Sequence, residues 1–241
     1  MESQIAVAKV GKYATSESGD TVEVIERPRG GLSLVMADGQ RSGRGAKAIS
    51  NMAARKAISL LAEGVRDGAV ARAAHDYLRT QRGGKVSATL NIVSVDLTSE
   101  TLVLSRNSHC PIVVITPAGT TLLDQPSEAI GIYAWTKPVI TELSLEPDTF
   151  IIVFTDGLLD AGSRYGQRLD IPQIVGDLLD SGVRDAPALA DAILQCGVEL
   201  DRGRPDDDIS VVVIAIVPDG KHDDVRRMTI SFPLLPVKGI W

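Results

Sequence analysis

The chain has 241 residues, 44% of them hydrophobic and 23% charged, with a formal net charge of −6. This is the composition of a soluble globular protein with a core large enough to need no staples, and it lacks the basic balance of a nucleic-acid binder. Two cysteines, Cys110 and Cys196, are too few for a disulfide framework. The opening MESQIAVAKVGKY has no basic stretch followed by an apolar one, and the longest apolar run, Val211 to Val217, is too short to span a bilayer. A cytoplasmic protein without nucleic-acid or membrane partners is expected.

Ile5 to Val10 predicts a first strand, and Gly11 to Gly19 is a polar, small-residue loop. Thr21 to Arg27 and Leu32 to Ala37 predict a hairpin turned at Pro28-Arg29-Gly30-Gly31. Centred on Arg29, that hairpin sets Asp20 directly across from Asp38; a bulge at Gly30 would shift the pairing by one residue and still leave the carboxylates close. Opposed like charges destabilise a hairpin, so such a pair calls for a compensating cation. Arg44 to Glu63 carries apolar residues at helical spacing, and a second helix is expected over Gly68 to Arg82 with Asp67 as its cap.

A β-rich stretch follows. Val86 to Asp96 and Thr101 to Arg106 form one predicted pair, Pro111 to Thr116 and Thr120 to Leu123 another, and Pro138 to Leu143 a further strand. Phe150 to Thr155 is short, apolar and β-branched, as in a strand buried on both faces, and it stops at Asp156-Gly157. Helices are expected over Ile171 to Asp180 and Ala186 to Asp201, with Pro172 and Pro187 near their starts. Asp206-Asp207-Asp208 then precede the apolar strand Ile209 to Val217, and Val225 to Phe232 alternates as if to hairpin back on it. There is no linker composition, so residues 1–241 are expected to form one domain.

Asp38-Gly39 is a common turn signal, and a loop of three aspartates is ordinarily a solvated acidic surface. Their arrangement makes more of them. Asp20 begins a strand and Asp38 ends the next; Asp156 ends a strand and Asp207 precedes one. If each pair runs antiparallel, four carboxylates meet at one end. That is an oxygen-only donor set with no Cys/His zinc pattern, suited to Mg²⁺ or Mn²⁺. Two such ions roughly 3.5–4 Å apart activate a bridging water and clamp a phosphoryl oxygen, which implies phosphate-ester hydrolysis.

Gly19-Asp20, Ala37-Asp38-Gly39, Thr155-Asp156-Gly157 and Asp207-Asp208-Ile209-Ser210, in that order, resemble the metal-dependent protein phosphatases (the PPM, or type 2C, serine/threonine phosphatases), in particular the bacterial branch named for the stage II sporulation protein E. Ser87 to Asp96 and Asn107-Ser108-His109-Cys110-Pro111 also resemble segments of that family, and the likeness runs from about Gly11 to Val217. It implies an α+β fold, a four-layer sandwich of two central antiparallel sheets flanked by helices. It further implies that Asp38 bridges two metals, that the Gly39 carbonyl binds one, that Asp156 and Asp207 hold the other, and that Asp20 binds the Asp38-Gly39 metal directly or through water. Asp208 is taken as the neighbour of the ligand Asp207. Asp38, Asp156 and Asp207 are the residues expected to carry catalysis.

The loop after Asp38-Gly39 departs from the family, having Arg41 where relatives usually have a small residue or glycine, and Ser42-Gly43-Arg44-Gly45 where they often have Gly-His-Gly. Arg41 and Arg44 are candidates for contact with substrate phosphate, with a solvated loop arginine the alternative at each. His109 is read as structural rather than as a general acid. The implied activity is that of a Mn²⁺- or Mg²⁺-dependent protein-serine/threonine phosphatase. Its implied partner is a phosphorylated bacterial signalling protein, a STAS-domain or anti-sigma antagonist type of regulator. A pseudo-phosphatase binding module and a hydrolase of small phosphate esters are the alternatives.

Overall fold

The computed structural model describes residues 1–218 and 227–231. Among these residues ten strands and five α-helices follow one another as β1 (Glu2–Val10), β2 (Asp20–Glu26), β3 (Leu32–Gly39), α1 (Gly43–Ala62), α2 (Asp67–Arg82), β4 (Ala88–Asp96), β5 (Thr101–Asn107), β6 (Ile112–Thr116), β7 (Gly119–Leu123), β8 (Val139–Ser144), β9 (Thr149–Phe154), α3 (Asp156–Leu159), α4 (Ile171–Asp180), α5 (Ala186–Leu200) and β10 (Ile209–Val217). All described strand pairs are antiparallel, in two five-stranded sheets ordered β1-β10-β9-β6-β7 and β2-β3-β4-β5-β8. No described helix is long and apolar enough to cross a membrane.

The layers follow from which side chains alternate to which face. Leu34, Met36, Val93 and Leu104 of one sheet pack against Ile151, Val153, Val212 and Ile214 of the other, forming the core between the sheets. The intervening residues point outward. Val35, Ala37, Leu90 and Ile92 are covered by α1 and α2, and Phe150, Ile152, Val211 and Val213 by α4 and α5. Because β9 and β10 are buried on both faces, Phe150 to Phe154 and Val211 to Val217 read as continuous apolar runs rather than as polar–apolar alternation. Ala53, Ala54 and Ala57 of α1 are fully buried with Ala71 and Ala74 of α2, and these small side chains let the helix pair lie close to the sheet. Asp170 and Asp185 accept the backbone N–H groups of Gln173 and Ala188, capping α4 and α5 just ahead of Pro172 and Pro187.

Two expectations change. Asp67 does not cap α2; the N-cap position is Arg66, with no side-chain cap bond. The Asp67 carboxylate instead accepts from Ser94 and pairs with Arg27 at 3.2 Å, with both side chains under 10% exposed. Arg27 Nη1 also donates to Ser33 and Ser94, and Nη2 to the Val65 carbonyl, so one ion pair ties the β2–β3 turn, β4 and the start of α2 together. Sequence patterning could not find this contact, since its partners are far apart in the chain.

The second change concerns the C-terminal hairpin expected over residues 225–232. Both edges of β10 are occupied, by β1 from Glu2↔Val217 to Val10↔Ile209 and by β9. Neither edge of β10 is left for another strand. The described part, 227–231, has no strand, and its Met228 and Ile230 are 56% and 81% exposed; the rest of that stretch lies outside the described residues.

Asp67→Ala removes the counter-charge of a guanidinium that stays buried. It should cost about 3–5 kcal/mol of stability in urea titration, whereas the double variant Arg27→Met/Asp67→Leu should cost clearly less. An unchanged midpoint for Asp67→Ala would show that the pair compensates nothing.

Candidate active site

The site is assembled from strand ends. Asp20 opens β2 and pairs across the hairpin with Asp38 near the end of β3, with no bulge between them. β9 runs into Thr155-Asp156-Gly157, and the Val211↔Phe154 register sets that segment against the start of β10, just after Asp207-Asp208. The two sheets bring these ends together. Asp20 Oδ2 accepts from Ser210 Oγ, and also from Thr155 Oγ1 at 3.3 Å, bonds that cross from one sheet to the other.

The glycines after Asp38 and Asp156 are needed for close approach, not for a left-handed turn. Neither has a positive φ. A Cβ on Gly39 would lie 2.0 Å from the Ala46 carbonyl oxygen, and one on Gly157 would lie 2.2 Å from that of Asp208. The strand end is thus pressed against the first turns of α1, and the α3 turn against the start of β10. The plain turn reading of the two Asp-Gly pairs fails on this geometry.

Negative charge is left in excess. Asp20 is 1% exposed, and its Oδ1 has no hydrogen-bond partner. Burial pushes its carboxyl above the ordinary range, against the pull of the Ser210 hydroxyl and of Lys9. Asp38 is pushed up to about 9, first by burial and then by the charges of Asp20 and Asp156. Asp156 is raised too, by burial and by Asp207. Lys9 and Lys47 lie close, but both donate to the Asp20 carbonyl, at 2.8 and 2.6 Å. Burial lowers the pKa of Lys9. Among the described residues the cluster's ion pair is a long one, His109 Nε2 to Asp156 Oδ2 at 3.9 Å.

Adjacent aspartates in the last motif differ. Asp208 is 3% exposed, and its two oxygens accept the backbone N–H groups of Lys12 and Gly19, each at 2.8 Å. It shapes the loop leading to Asp20. Asp207 is half-buried, accepts the Asp208 N–H, and faces Asp38 and Asp156 closely enough to raise their pKa values. Arg41 and Arg44 are exposed at the rim, outside the carboxylate cluster. Arg44 Nε is 4.0 Å from Glu17, and Arg41 has φ 76°, where a residue with a Cβ is disfavoured and glycine is not. His109 is 58% exposed beside Asp156, at the rim rather than in the framework.

Ser210, Thr155, Lys9 and Lys47 are contributors that motif reading left out. Ser210 and Thr155 stand inside the Asp-Asp-Ile-Ser and Thr-Asp-Gly motifs, so a signal existed. Lys9 enters only because β1 pairs with β10, opposite Ser210.

The donor set fits divalent cations. It offers only oxygen, carries unmatched charge, and includes a buried carboxylate oxygen with no partner. No three acidic, His or Cys side chains among the described residues already stand in chelating geometry, so a cation would have to draw them together.

Two antiparallel five-stranded sheets flanked by helices are the PPM phosphatase architecture, and solved structures share it. The PP2C phosphatase domain of SpoIIE from Bacillus subtilis, with a fragment of its regulatory domain, superposes with a TM-score of 0.76 at 18% identity, over 90% of this chain and 64% of that one. RsbX in complex with magnesium gives 0.67 at 15% identity, over 88% and 94%. The catalytic domain of the serine/threonine phosphatase PstP with two manganese ions gives 0.66 at 17% identity, over 90% and 99%. The chain thus spans just under two thirds of the first of these. A search of curated proteins gave no match. The profile of the Stage II sporulation protein E (SpoIIE) family matches residues 28–217, and the chain belongs to that family.

Asp207→Asn should keep the fold and lose Mn²⁺ binding by calorimetry. Asp208→Asn should instead lower stability by about 1–3 kcal/mol by unpairing two backbone donors; exchanged phenotypes would move the ligand to Asp208. For pH, Asp38 holds its proton up to about 9 in the metal-free fold, against 3.8 for an ordinary aspartate. The folded state then binds more protons than the unfolded one between those values, so stability falls as pH rises through that window. The melting temperature of EDTA-treated protein should drop from pH 6 to pH 8.5 and recover with Mn²⁺, and Asp38→Asn should flatten the slope. A pH-independent midpoint in the wild type would sink this account.

Proposed function

We propose that this chain is a Mn²⁺- or Mg²⁺-dependent phosphatase of phosphoserine and phosphothreonine on a bacterial signalling protein, a STAS-domain or anti-sigma antagonist type of regulator. The observation that carries the reading is the convergence of Asp20, Asp38, Asp156 and Asp207 at one end of a PPM sandwich without matching cationic side chains. Asp38, Asp156, Asp207 and the Gly39 carbonyl would hold two divalent ions, with Asp20 on the Asp38-Gly39 side. When bound, the ions supply an activated water and the positive charge that phosphoryl transfer requires.

The chain's own residues do the positioning. Ser210 and Thr155 orient Asp20, Asp208 holds the loop before it, and the close contacts of Gly39 and Gly157 fix where the strand ends stop. Arg41 and Arg44 stand at the rim where a phosphate would enter. A groove of about 530 Å³ opens beside His109, lined by Asp124, Ser127, Glu128 and Lys137 among others. An open groove next to the carboxylates suits a polypeptide better than a small ester that needs enclosure.

Turnover of a phosphoserine peptide should require Mn²⁺, vanish with EDTA, and fall by at least about 10²-fold in Asp38→Ala. Absent turnover together with absent metal binding would leave a partner-binding module in place of an enzyme.

A further inference from the structure

On the flank of the candidate active site, α2 and the loop after Ile130 form a surface that the catalytic reading leaves unused. Ile130 bridges Ala88, the residue paired with Gly39 at the end of β3. Gln40, next in the chain, exchanges hydrogen bonds with Ser87. Beyond the bridge the loop is clipped to α2: the Gly131 N–H donates to His75 Nδ1 at 3.0 Å, and Arg79 Nε donates to the Ile132 carbonyl. His75 is buried, and a Cβ on Gly131 would meet the Val86 carbonyl oxygen at 2.5 Å. The loop backbone is therefore held in place while its side chains face out. Trp135 is 89% exposed, Tyr133 59% and Ile132 38%.

Arg79, which holds this loop, and Arg82 and Lys85 at and just beyond the end of the same helix are all exposed. Among the described residues none of the three pairs with a carboxylate. The helix macrodipole accounts for arginines in the last turn of α2. It does not account for an indole and a phenol held out on a loop anchored to that helix. Tyr, Trp and Arg together, on a fixed backbone, are the composition of an interface centre. With a net charge of −6 the chain as a whole repels extended polyanions such as nucleic acid or an anionic bilayer. A local cationic–aromatic patch fits a protein partner with a confined acidic segment.

We propose that the surface formed by Ile132, Tyr133, Trp135, Arg79, Arg82 and Lys85 docks an acidic segment of the phosphoprotein substrate. This inference rests on the phosphatase reading for the identity of the occupant. Docking here, away from the carboxylates, lets an acidic partner be held by cations while its phosphoryl group reaches the metal site.

Two phosphoserine peptides test this, one carrying an Asp/Glu run at one end and one with Asn/Gln in its place; p-nitrophenyl phosphate, too small to reach α2, reports the metal site alone. The wild type with Mn²⁺ should favour the acidic peptide on the order of tenfold in kcat/KM, through KM, and added NaCl should erode the preference. Trp135→Ala and Arg82→Glu/Lys85→Glu should each bring the acidic-to-neutral ratio close to one, with rates normalised to p-nitrophenyl phosphate. A ratio near one in the wild type, or an unchanged ratio in both variants, overturns the docking proposal and leaves the phosphatase reading standing. If no substrate turns over and no Mn²⁺ binds, the phosphatase reading falls by itself. Fluorescence anisotropy of the labelled unphosphorylated acidic peptide then decides the docking: binding lost in both variants supports it, and equal or absent binding in all three proteins overturns it.

Discussion

Everything at the candidate active site depends on one electrostatic conflict, the direct pairing of Asp20 with Asp38 across a hairpin. Two carboxylates in that position repel, and burial of Asp20 makes its ionised form costlier still. The fold satisfies part of the demand with neutral donors, the Ser210 and Thr155 hydroxyls on one Asp20 oxygen. The nearby Lys9 and Lys47 both donate to the Asp20 carbonyl rather than to its carboxylate, and the charge of Lys9 offsets that carboxylate only in part. What remains is a deficit of positive charge at the place where four strand ends meet. A structure kept together against such a deficit is suited to receive divalent ions, and its metal-free form carries the strain as a raised Asp38 pKa.

The sandwich makes that conflict tolerable because the parts around it are stiff. β9 and β10 are buried along almost their whole length, one face on the other sheet and one face on α5. β3 is held likewise under α1 and α2. Strand ends framed in this way cannot drift apart to relieve repulsion, so the carboxylates stay close. The Arg27–Asp67 pair extends the same rigidity to the far end of the β2–β3 hairpin, anchoring its turn to β4 and to α2.

The expected elements were legible to the degree that they rested on local signals. The helix Ile171–Asp180 and the strand Ile209–Val217 have the boundaries that periodicity and caps imply. Errors arose where a local signal had a distant competitor. Asp67 stands where an N-cap is common, but Arg27 and Ser94 claim its carboxylate. The alternation around Met228 and Ile230 looks like a strand, but β1 and β9 already hold both edges of its expected partner. His109 stands exposed at the rim beside Asp156, a neighbour 47 residues away in the chain that local pattern does not reveal.

The sequence by itself determined the register that sets Asp20 against Asp38, because a hairpin's turn dictates its pairing over short range. It also determined the order of the four acidic motifs, and with them the chemistry of the donor set. Tertiary structure alone decided that the ends of the β2–β3 hairpin and of the β9–β10 pair lie together, that Asp208 holds a loop while Asp207 faces the cluster, and that Ser210 reaches Asp20 from the opposite sheet. Those outcomes depend on which strands become neighbours across long stretches of chain. Side-chain period and turn chemistry carry no record of that choice; it is settled by how the two sheets and their helices bury one another.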